Sequence, residues 1–545
     1  MILRELLKDC GISEHSIGAN LLNNMDIPGV AYDSRSVGKG YLFVAMKGER
    51  TDGHNFVTEA IKRGAVAVVS EREIIRESSP KSDTPDTVPL YIRSENSRKS
   101  LACIANNFYQ RPSESLALVG VTGTNGKTTT THILKSILEK HGCTVGLIGT
   151  IHYMIKDRSY PAVHTTPESP EFQGLLREML SAGCTHVISE VSSHALAQFR
   201  VDGAVFRSAV FTNLTRDHLD FHKTMQAYFD AKKRLFTDLL DGHGSAVINL
   251  DDPYGSGLYS ELLPVRWMNS GPDIITYGVQ PGSDIRAHDI SNSSRGLHFR
   301  VSLHDKILDI TSPLIGLINV YNILAAMGAA VSLQVPDAAI IEGIRDADRI
   351  AGRFEKVDAG QDFLCVVDYA HTEDALERLI LTARELLEQS AEQENKEQTG
   401  KYRKEKDGLK TGISGSPPRI ITVFGCGGDR DKGKRPAMGA VATRCSDFSI
   451  ITSDNPRSED PMDIIRDIEA GAVQRNYLVE PDRREAIRKA VGMADDGDIV
   501  LVAGKGHEDY QEIRGVRNPF SDRAVLKEAI RNRVSIKDEK CRVHS

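Results

Sequence analysis

An α/β fold divided into about three domains is what the sequence predicts, and three observations lead there. A chain of 545 residues exceeds what one hydrophobic core supports, and at roughly 150 residues per domain it divides into about three. From "SLALVGVTGTNGKTTTTHILKSILEKHG" onward, apolar runs of strand length alternate with helical patterns, the signature of a parallel sheet covered by helices. Toward the C-terminus, "FLCVVDYAH", "RIITVFG", "DFSIIT" and "DIVLVAGKG" read as buried strands, and glycine-rich turns follow three of them.

Taken in order, residues 1–112 mix short strands ("GYLFVAM", "GAVAVVS") with helical stretches ("NFVTEAIKRG"), as a small α/β unit does. The polar, proline-rich segment from Glu77 to Pro89 reads as a surface loop inside it, because strand-like "LYIR" follows. Residues 113–350 make a middle unit, and residues 351–545, from "AGRFEKV", a third α/β unit. Between a helix ending near Leu387 and the strand at Arg419, residues 388–418 are charged, polar and nearly free of large apolar side chains. Such a segment buries too little surface to offset the entropy of ordering, so a disordered insertion is expected there. The tail "IKDEKCRVHS" is expected to fray.

Apolar and charged fractions of 40% and 26% are those of globular domains with real cores. The net charge of −7 gives no electrostatic reason to expect nucleic acid or an anionic membrane as a partner. No apolar run approaches the roughly eighteen residues of a membrane span, and "MILRELLKDCGISEHS" carries acids where a signal peptide needs an unbroken apolar stretch. A cytoplasmic protein is therefore expected. The eight cysteines are scattered, without a CxxC pair or zinc spacing, so they are expected to be reduced and mostly structural, with no disulfide framework.

In "LALVGVTGTNGKTTT" a short apolar strand runs into a glycine-rich turn and then a helix whose Ile133, Leu134, Ile137 and Leu138 share one face. In such a loop, backbone N–H groups and the helix N-terminus point at phosphate oxygens. Lys127 adds a mobile positive charge, and the Thr128 hydroxyl can bind Mg²⁺. The match to GxxxxGK[ST] is incomplete: Gly126, Lys127 and Thr128 fit, but Val121 stands where the first glycine belongs, between Gly120 and Gly123. The bland alternative is a glycine-rich turn without a ligand; the strand before it and the helix after favour a nucleotide.

The variant TGTNGKT resembles the ATP loop of the Mur ligase superfamily, cytoplasmic ATP-dependent amide-forming enzymes that build the peptidoglycan stem peptide. Other stretches match in order along nearly the whole chain: "DSRSV", "GERTDGHNF", "HTTPES", "SEVSSHAL", "FTNLTRDHLDFH", "YFDAKKRLF", "NVYN", "GRFEKV", "VDYAHTEDAL", "FGCGGDRDKGKRPAMG", "SDNPRSED" and "GKGHEDYQ". Together they resemble the branch that adds the third amino acid to UDP-N-acetylmuramoyl-L-alanyl-D-glutamate. The resemblance implies an N-terminal domain for the UDP-sugar, a central ATPase domain of the phosphate-loop type with a mostly parallel sheet, and a Rossmann-like C-terminal domain for the incoming amino acid. Two departures stand out: Glu373 in "AHTEDAL", where the family commonly has proline, and the polar insertion before Arg419.

The implied reaction forms an amide in two steps. A D-glutamyl carboxylate attacks the γ-phosphate of ATP to give an acyl phosphate, and an amine then displaces phosphate through a tetrahedral intermediate. Several anionic species must crowd together, which calls for Mg²⁺ and lysines. By motif, ATP is expected at Gly123, Thr124, Asn125, Gly126, Lys127, Thr128 and Thr129, with Asn322, Arg353 and Asp368 around the adenosine and phosphates. Lys127, Glu190, His218 and Lys232 are the implied catalytic residues, and Thr128, Glu190, His218 and Lys232 the implied Mg²⁺ ligands. Glu190 ends "THVISE", a buried-strand candidate, where ligands bind an open α/β sheet. An isolated Glu or His is ordinarily a surface acid or a satisfied histidine; the family match lifts Glu190 and His218 above that reading. Lys232 shares an amphipathic helix with Tyr228, Phe229, Leu235 and Phe236, where taken alone it would be a solvated lysine. In the family the lysine at this place is carbamylated by CO₂, which exchanges a cation for an anion able to ligate a second Mg²⁺. Alignment selects Lys232 over Lys233.

The resemblance assigns the UDP-sugar-peptide to Ser34, Thr51, Thr165, Thr166, Ser192, Gln198 and Arg200, donors suited to phosphate, sugar and carboxylate oxygens. For the amino acid it points to Arg430, Asp454, Asn455, Pro456, Arg457, Gly504 and Glu508. "DNPR" is the family's meso-diaminopimelate pattern. That amino acid is in effect lysine with an added distal carboxylate, which Arg457 would meet bidentately, while Asp454 and Asn455 hold the far amino end. With L-lysine bound, Arg457 would be desolvated and unpaired, a penalty of about 2–5 kcal/mol. The implied substrates are thus the UDP-N-acetylmuramoyl dipeptide, meso-diaminopimelate and ATP, acted on by a monomer. The alternatives are the same ligase using L-lysine, another superfamily ligase such as a folylpolyglutamate synthase, or a nucleotide-dependent switch. A switch would release phosphate without the amino acid; a ligase needs all three substrates.

Overall fold

A computed structural model describes residues 1–12, 19–48, 51–72, 89–267, 271–347, 350–402 and 417–543. The N-terminal unit is a four-stranded parallel sheet, Val30–Ala31, Leu42–Val44, Ala67–Ser70 and Leu90–Arg93, in chain order. Leu3, Leu6 and Leu7 of a short helix pack with Leu101 and Ile104 of the helix Ser97–Phe108 on one face. The expected loop from Glu77 lies outside the described residues as far as residue 88, and the strand Leu90–Arg93 follows it.

One cysteine expectation is corrected here: Cys10 and Cys103 are paired as a disulfide, while Cys143, Cys184, Cys365, Cys426 and Cys445 are free. The partners are 93 residues apart, so no short spacing announces them. They meet because the N-terminal helix docks on Ser97–Phe108.

The middle unit holds an eleven-stranded sheet. At its centre, Val145–Ile148, His186–Glu190, Ala117–Thr122, Phe206–Phe211, Leu240–Asn249 and Asp273–Gly278 run parallel in that spatial order. Ile285–Ser293 joins Asp273–Gly278 through a short parallel pairing, and Gly296–Leu303 and Lys306–Ser312 continue from it antiparallel to that edge. At the opposite edge His152–Ile155 and Arg158–Pro161 are added antiparallel. In Gly296–Leu303 buried and less buried residues alternate, as in a sheet with one wet face. Helices Lys127–Lys140 and Leu317–Ser332 contribute to the core on one face, and Ser169–Ser181 and Met225–Thr237 to the core on the other.

The third unit has parallel strands in the spatial order Leu364–Asp368, Ile499–Ala503, Ile420–Phe424, Phe448–Ile451 and Tyr477–Val479, with Glu355–Lys356 antiparallel at the edge. Because these strands are parallel, the loops after Phe424, Ile451 and Ala503 all open at one edge, where α/β sheets bind ligands.

Two disorder expectations are corrected. The helix beginning at Glu373 does not stop near Leu387 but continues to Tyr402, through the first half of the polar insertion. Its Glu, Gln, Lys and Ala residues are good helix formers without proline, and extending an existing helix adds a hydrogen bond per residue. Residues 403–416 lie outside the described residues. The tail likewise continues a helix, Asp522–Val543.

Candidate active site

The glycine-rich turn joins the strand Ala117–Thr122 to the helix Lys127–Lys140. Gly123 and Gly126 have φ of 150° and 88°, in the region that favours glycine. A Cβ at 123 would lie 1.9 Å from the Thr212 hydroxyl, and one at 126 would lie 2.3 Å from Oδ1 of Asn322. The Lys127 ammonium curls over the turn, donating to the carbonyls of Gly123 at 2.9 Å and Thr124 at 3.0 Å.

Lys232 reaches the Gly123 carbonyl from the helix Met225–Thr237, at 2.8 Å. It is 1% exposed and stands 4.7 Å from the centre of the Tyr228 ring. Burial, with Lys127 alongside, holds its amine well below the usual lysine range against an opposing pull from Asp217. The bare helical pattern offers a solvated lysine, but this face of the helix turns inward.

Glu190 ends the strand His186–Glu190 and is fully buried. Its Oε2 accepts from the hydroxyls of Thr128 at 3.1 Å and Thr150 at 2.9 Å, and its Oε1 from the Thr150 N–H at 2.9 Å. His218 lies 3.4 Å from Asp217, and burial pushes its imidazole down to about 3. Burial would raise the Asp217 carboxyl, but Lys434, His371 and His218 outweigh it and hold the group well below the usual range. Lys434 and His371 belong to the third unit, each 3.8 Å from Asp217.

From the same side, Arg353 donates to the Thr128 hydroxyl at 3.2 Å and stacks 4.7 Å from the Tyr369 ring centre. Asp368 accepts the N–H groups of Phe354 at 2.6 Å and Ala370 at 2.8 Å, and burial raises its carboxyl. A cavity of about 250 Å³ is lined by Thr124 to Thr129 together with Thr165, Glu190, Ser192, His218, Asn322, Arg353 and Asp368. Gly123 and Lys232 are not among its lining. Among the described residues, no three His, Cys, Asp or Glu side chains form a ready metal site.

A second cavity, of about 610 Å³, is lined by Ser34, Thr51, Gln198 and Arg200. Arg200 donates twice to Gln198 Oε1, at 3.1 and 2.7 Å, and once to the Thr166 carbonyl at 3.1 Å. It also pairs with Glu168 at 3.0 Å. Thr166 donates to the Glu190 carbonyl at 2.8 Å and accepts the Ser192 N–H at 3.0 Å, and Thr165 meets the Thr150 hydroxyl at 3.1 Å. The residues expected around the UDP-sugar-peptide are therefore split between two cavities, with Thr166 linking them.

The residues expected around the amino acid line neither cavity. They sit on the three loops at the edge of the third sheet. A Cβ at Gly427 would lie 2.8 Å from Arg457 Nη1 and 3.9 Å from Arg430 Cγ, so the two arginines flank one glycine. Arg457 donates to the Gly428 carbonyl at 2.7 Å, and its Nε is 3.9 Å from the Glu512 carboxylate. The backbone after Pro456 is left-handed, with φ of 53° at Arg457, whose N–H donates to the Glu512 carbonyl at 3.0 Å. Asn455 donates to Glu508 at 2.8 Å. Asp454 is 9% exposed, lies against Gly504, and its Oδ2 finds no hydrogen-bond partner among the described residues. A buried carboxylate oxygen without a donor is costly unless a ligand supplies one.

Thr150, Asp217 and Tyr369 beside the first cavity, and Tyr32, Arg98 and Glu168 beside the second, have no counterpart among the sequence expectations. Asp217 and Tyr369 carry a signal, standing next to His218 and Asp368 in sequence. Glu168 carries one too, since it lies in "HTTPES" close to Thr166; Thr150, Tyr32 and Arg98 lie outside such motifs and carry none, since folding alone brings them in.

Three family descriptions match successive parts of the chain: "Mur ligase family, catalytic domain" over residues 26–109, "Mur ligase middle domain" over 121–330, and "Mur ligase, glutamate ligase domain" over 407–506. A protein of Solibacter usitatus named UDP-N-acetylmuramoyl-L-alanyl-D-glutamate--2,6-diaminopimelate ligase is 44% identical over 517 residues, covering 94% of each chain. One of the same name from Geobacillus thermodenitrificans is 43% identical, covering 94% of this chain and 96% of its own. A solved structure of a ligase of that name is 31% identical with a TM-score of 0.64, covering 98% of this chain and 99% of its own. MurF ligase from Thermotoga maritima, solved with ADP, shares the fold at 20% identity and a TM-score of 0.58, covering 93% of this chain and 98% of its own.

Proposed function

The chain belongs to the Mur ligase family, and on that premise we propose that it is the ATP-dependent amide ligase that adds meso-diaminopimelate to UDP-N-acetylmuramoyl-L-alanyl-D-glutamate, in cytoplasmic peptidoglycan precursor synthesis. The observation that carries this reading is the meeting of a phosphate loop and the buried Glu190 in one cavity that residues of the third unit help to line. The names of the relatives above support it.

ATP lies with its phosphates against the N–H groups from Gly123 to Thr129, and Lys127 exchanges its carbonyl partners for phosphate oxygens. Arg353, Asn322 and Asp368 approach the nucleotide. The uridine diphosphate end of the second substrate occupies the larger cavity at Ser34, Thr51, Gln198 and Arg200, and its peptide passes Thr166 toward Thr165 and Ser192. There the D-glutamyl carboxylate attacks the γ-phosphorus as the bond to ADP breaks. The diaminopimelate amine then adds to the acyl carbon and loses a proton, and the carbon–oxygen bond to phosphate breaks. Lys127 supplies fixed positive charge where negative charge develops.

Thr128, Glu190 and His218 would hold Mg²⁺: hydroxyl and carboxylate oxygens suit a hard cation, and burial keeps the imidazole in the deprotonated form a ligand needs. Bound there, the ion would neutralise phosphate charge. Lys232, buried with a depressed pKa, offers the neutral amine that CO₂ requires, losing one proton as the carbamate forms. Arg457 and Arg430 meet the distal carboxylate of diaminopimelate, and Asp454 and Glu508 its ammonium, with Asn455, Pro456 and Gly504 shaping the same site. Action as a monomer is part of the same proposal.

The test is phosphate release by purified protein with ATP, Mg²⁺ and the UDP-dipeptide. Release should require the amino acid and be far faster with meso-diaminopimelate than with L-lysine. Equal rates, or release without any amino acid, overturn the proposal.

A further inference from the structure

The loops around the amino-acid site enclose one lysine completely. Lys505 is 0% exposed. Its Nζ donates to Asn455 Oδ1 at 3.0 Å and to Glu508 Oε2 at 2.8 Å, and stands 5.4 Å from the centre of the Tyr510 ring. Asn455 and Glu508 both belong to the set read above as meeting the incoming amino acid, whereas Lys505 lies behind them.

These bonds decide which atoms the two residues have left to offer. Asn455 Oδ1 accepts from Lys505 and from the Glu512 N–H at 2.9 Å, which fills its two lone pairs. Its Nδ2 gives one hydrogen to Glu508 Oε2 at 2.8 Å and keeps the other. An amide can ordinarily turn over and exchange its oxygen for its nitrogen, but an ammonium can face only the oxygen. Glu508 Oε2, accepting from both Lys505 and Asn455, is likewise occupied, and Oε1 has no such partners among the described residues.

We propose that Lys505 is a positioning residue that sets amino-acid specificity, by holding Asn455 with an N–H free and Glu508 with one carboxylate oxygen free. The inference rests on the proposed function of this site. A ligand whose far end carries both a carboxylate and an ammonium matches one donor and one acceptor held in fixed places. Without Lys505 only the Glu512 N–H and the Glu508 carboxylate fix the sense of the Asn455 amide, its hold on the free N–H is loosened, and Glu508 loses the cation that balances it. A far end with only an ammonium, as in L-lysine, is then rejected less. A lysine serving only to stabilise the fold would lower the use of both amino acids alike.

The experiment compares the full chain with Lys505→Met and Lys505→Gln by initial rates of phosphate release at saturating ATP and UDP-dipeptide, with meso-diaminopimelate and with L-lysine. Lys505→Met should lower the ratio of kcat/KM for the two amino acids by about ten- to a hundredfold, chiefly through the KM for diaminopimelate, because charged hydrogen bonds are lost. The KM for ATP should stay within about twofold. Lys505→Gln, which keeps a donor for Asn455, should fall between Met and wild type. If Lys505→Met fails to fold in a thermal scan, Lys505→Gln is read alone against the same ratio. An unchanged ratio in the folded variants, or a parallel loss for both amino acids, overturns the inference while leaving the proposed function intact. A wild-type protein without diaminopimelate-dependent release overturns both.

Discussion

Lys127 and Lys232 donate to one and the same acceptor, the Gly123 carbonyl, at 2.9 and 2.8 Å. Two ammonium groups on one buried oxygen repel each other, and burial with this repulsion holds the Lys232 amine well below its usual range. A neutral amine is a nucleophile. Intact-mass spectrometry in bicarbonate should therefore find a labile adduct of one CO₂, absent from Lys232→Met. The same substitution should lower kcat by about a hundredfold or more while leaving ATP binding within a few fold. Full activity in Lys232→Ala would contradict the assignment.

Arg457 is held by the Gly428 carbonyl at 2.7 Å, so its fork is already oriented before a ligand arrives. Arg457→Lys keeps the charge but loses the planar fork. The KM for meso-diaminopimelate should rise by about ten- to a hundredfold, with the KM for ATP little changed. Initial-rate kinetics varying each substrate in turn will decide, and an equal rise in both constants would count against a role in amino-acid recognition.

Glu190 spends its oxygens on three donors, from Thr128 and Thr150. Glu190→Gln keeps the shape but replaces one acceptor oxygen with a donor facing those groups. Activity should fall by about a hundredfold at fixed Mg²⁺, and the Mg²⁺ concentration for half-maximal rate should rise. A titration of rate against Mg²⁺ that superimposes on wild type after scaling would refute the metal role.

His507 sits 5.2 Å from the Tyr369 ring, and burial, then the nearby Arg353, pushes its imidazole from the ordinary 6.5 down to about 3. The unfolded chain therefore binds a proton that the folded chain refuses between those values. The stability tied to neutral His507 is complete above 6.5 and is lost progressively as pH falls toward 3, by up to about 1.4 kcal/mol per pH unit. Urea unfolding at about pH 7.5 and about pH 5.5, on either side of the ordinary imidazole value, should show a smaller acid loss in His507→Gln than in wild type. Equal losses would show that His507 is not the group responsible.

Much of the architecture is legible because alternation of strand-length runs with helical patterns is a local signal, and the motifs mark where strands end. Glu190 closing its strand and the turn at Gly123 to Gly126 are of this kind. What cannot be read depends on contacts far apart in sequence. The burial of Lys232 comes from how its helix rolls onto the sheet, and the pairing of Cys10 with Cys103 from docking across 93 residues. Lys505 looks in sequence like one more charged loop residue. The helix running to Tyr402 escapes for another reason: low apolarity argues against a packed core, but a helix already nucleated at Glu373 needs little packing to continue.

That helix has a mechanical consequence. Ala375, Arg378, Leu379 and Thr382, in its first turns, line the smaller cavity, and its 30 residues make a rod about 45 Å long at roughly 1.5 Å per residue. A small tilt at the cavity end is thus magnified at the other, like the needle of a gauge. A fluorophore or spin label at the distal end would register any such tilt from a position remote from the cavity.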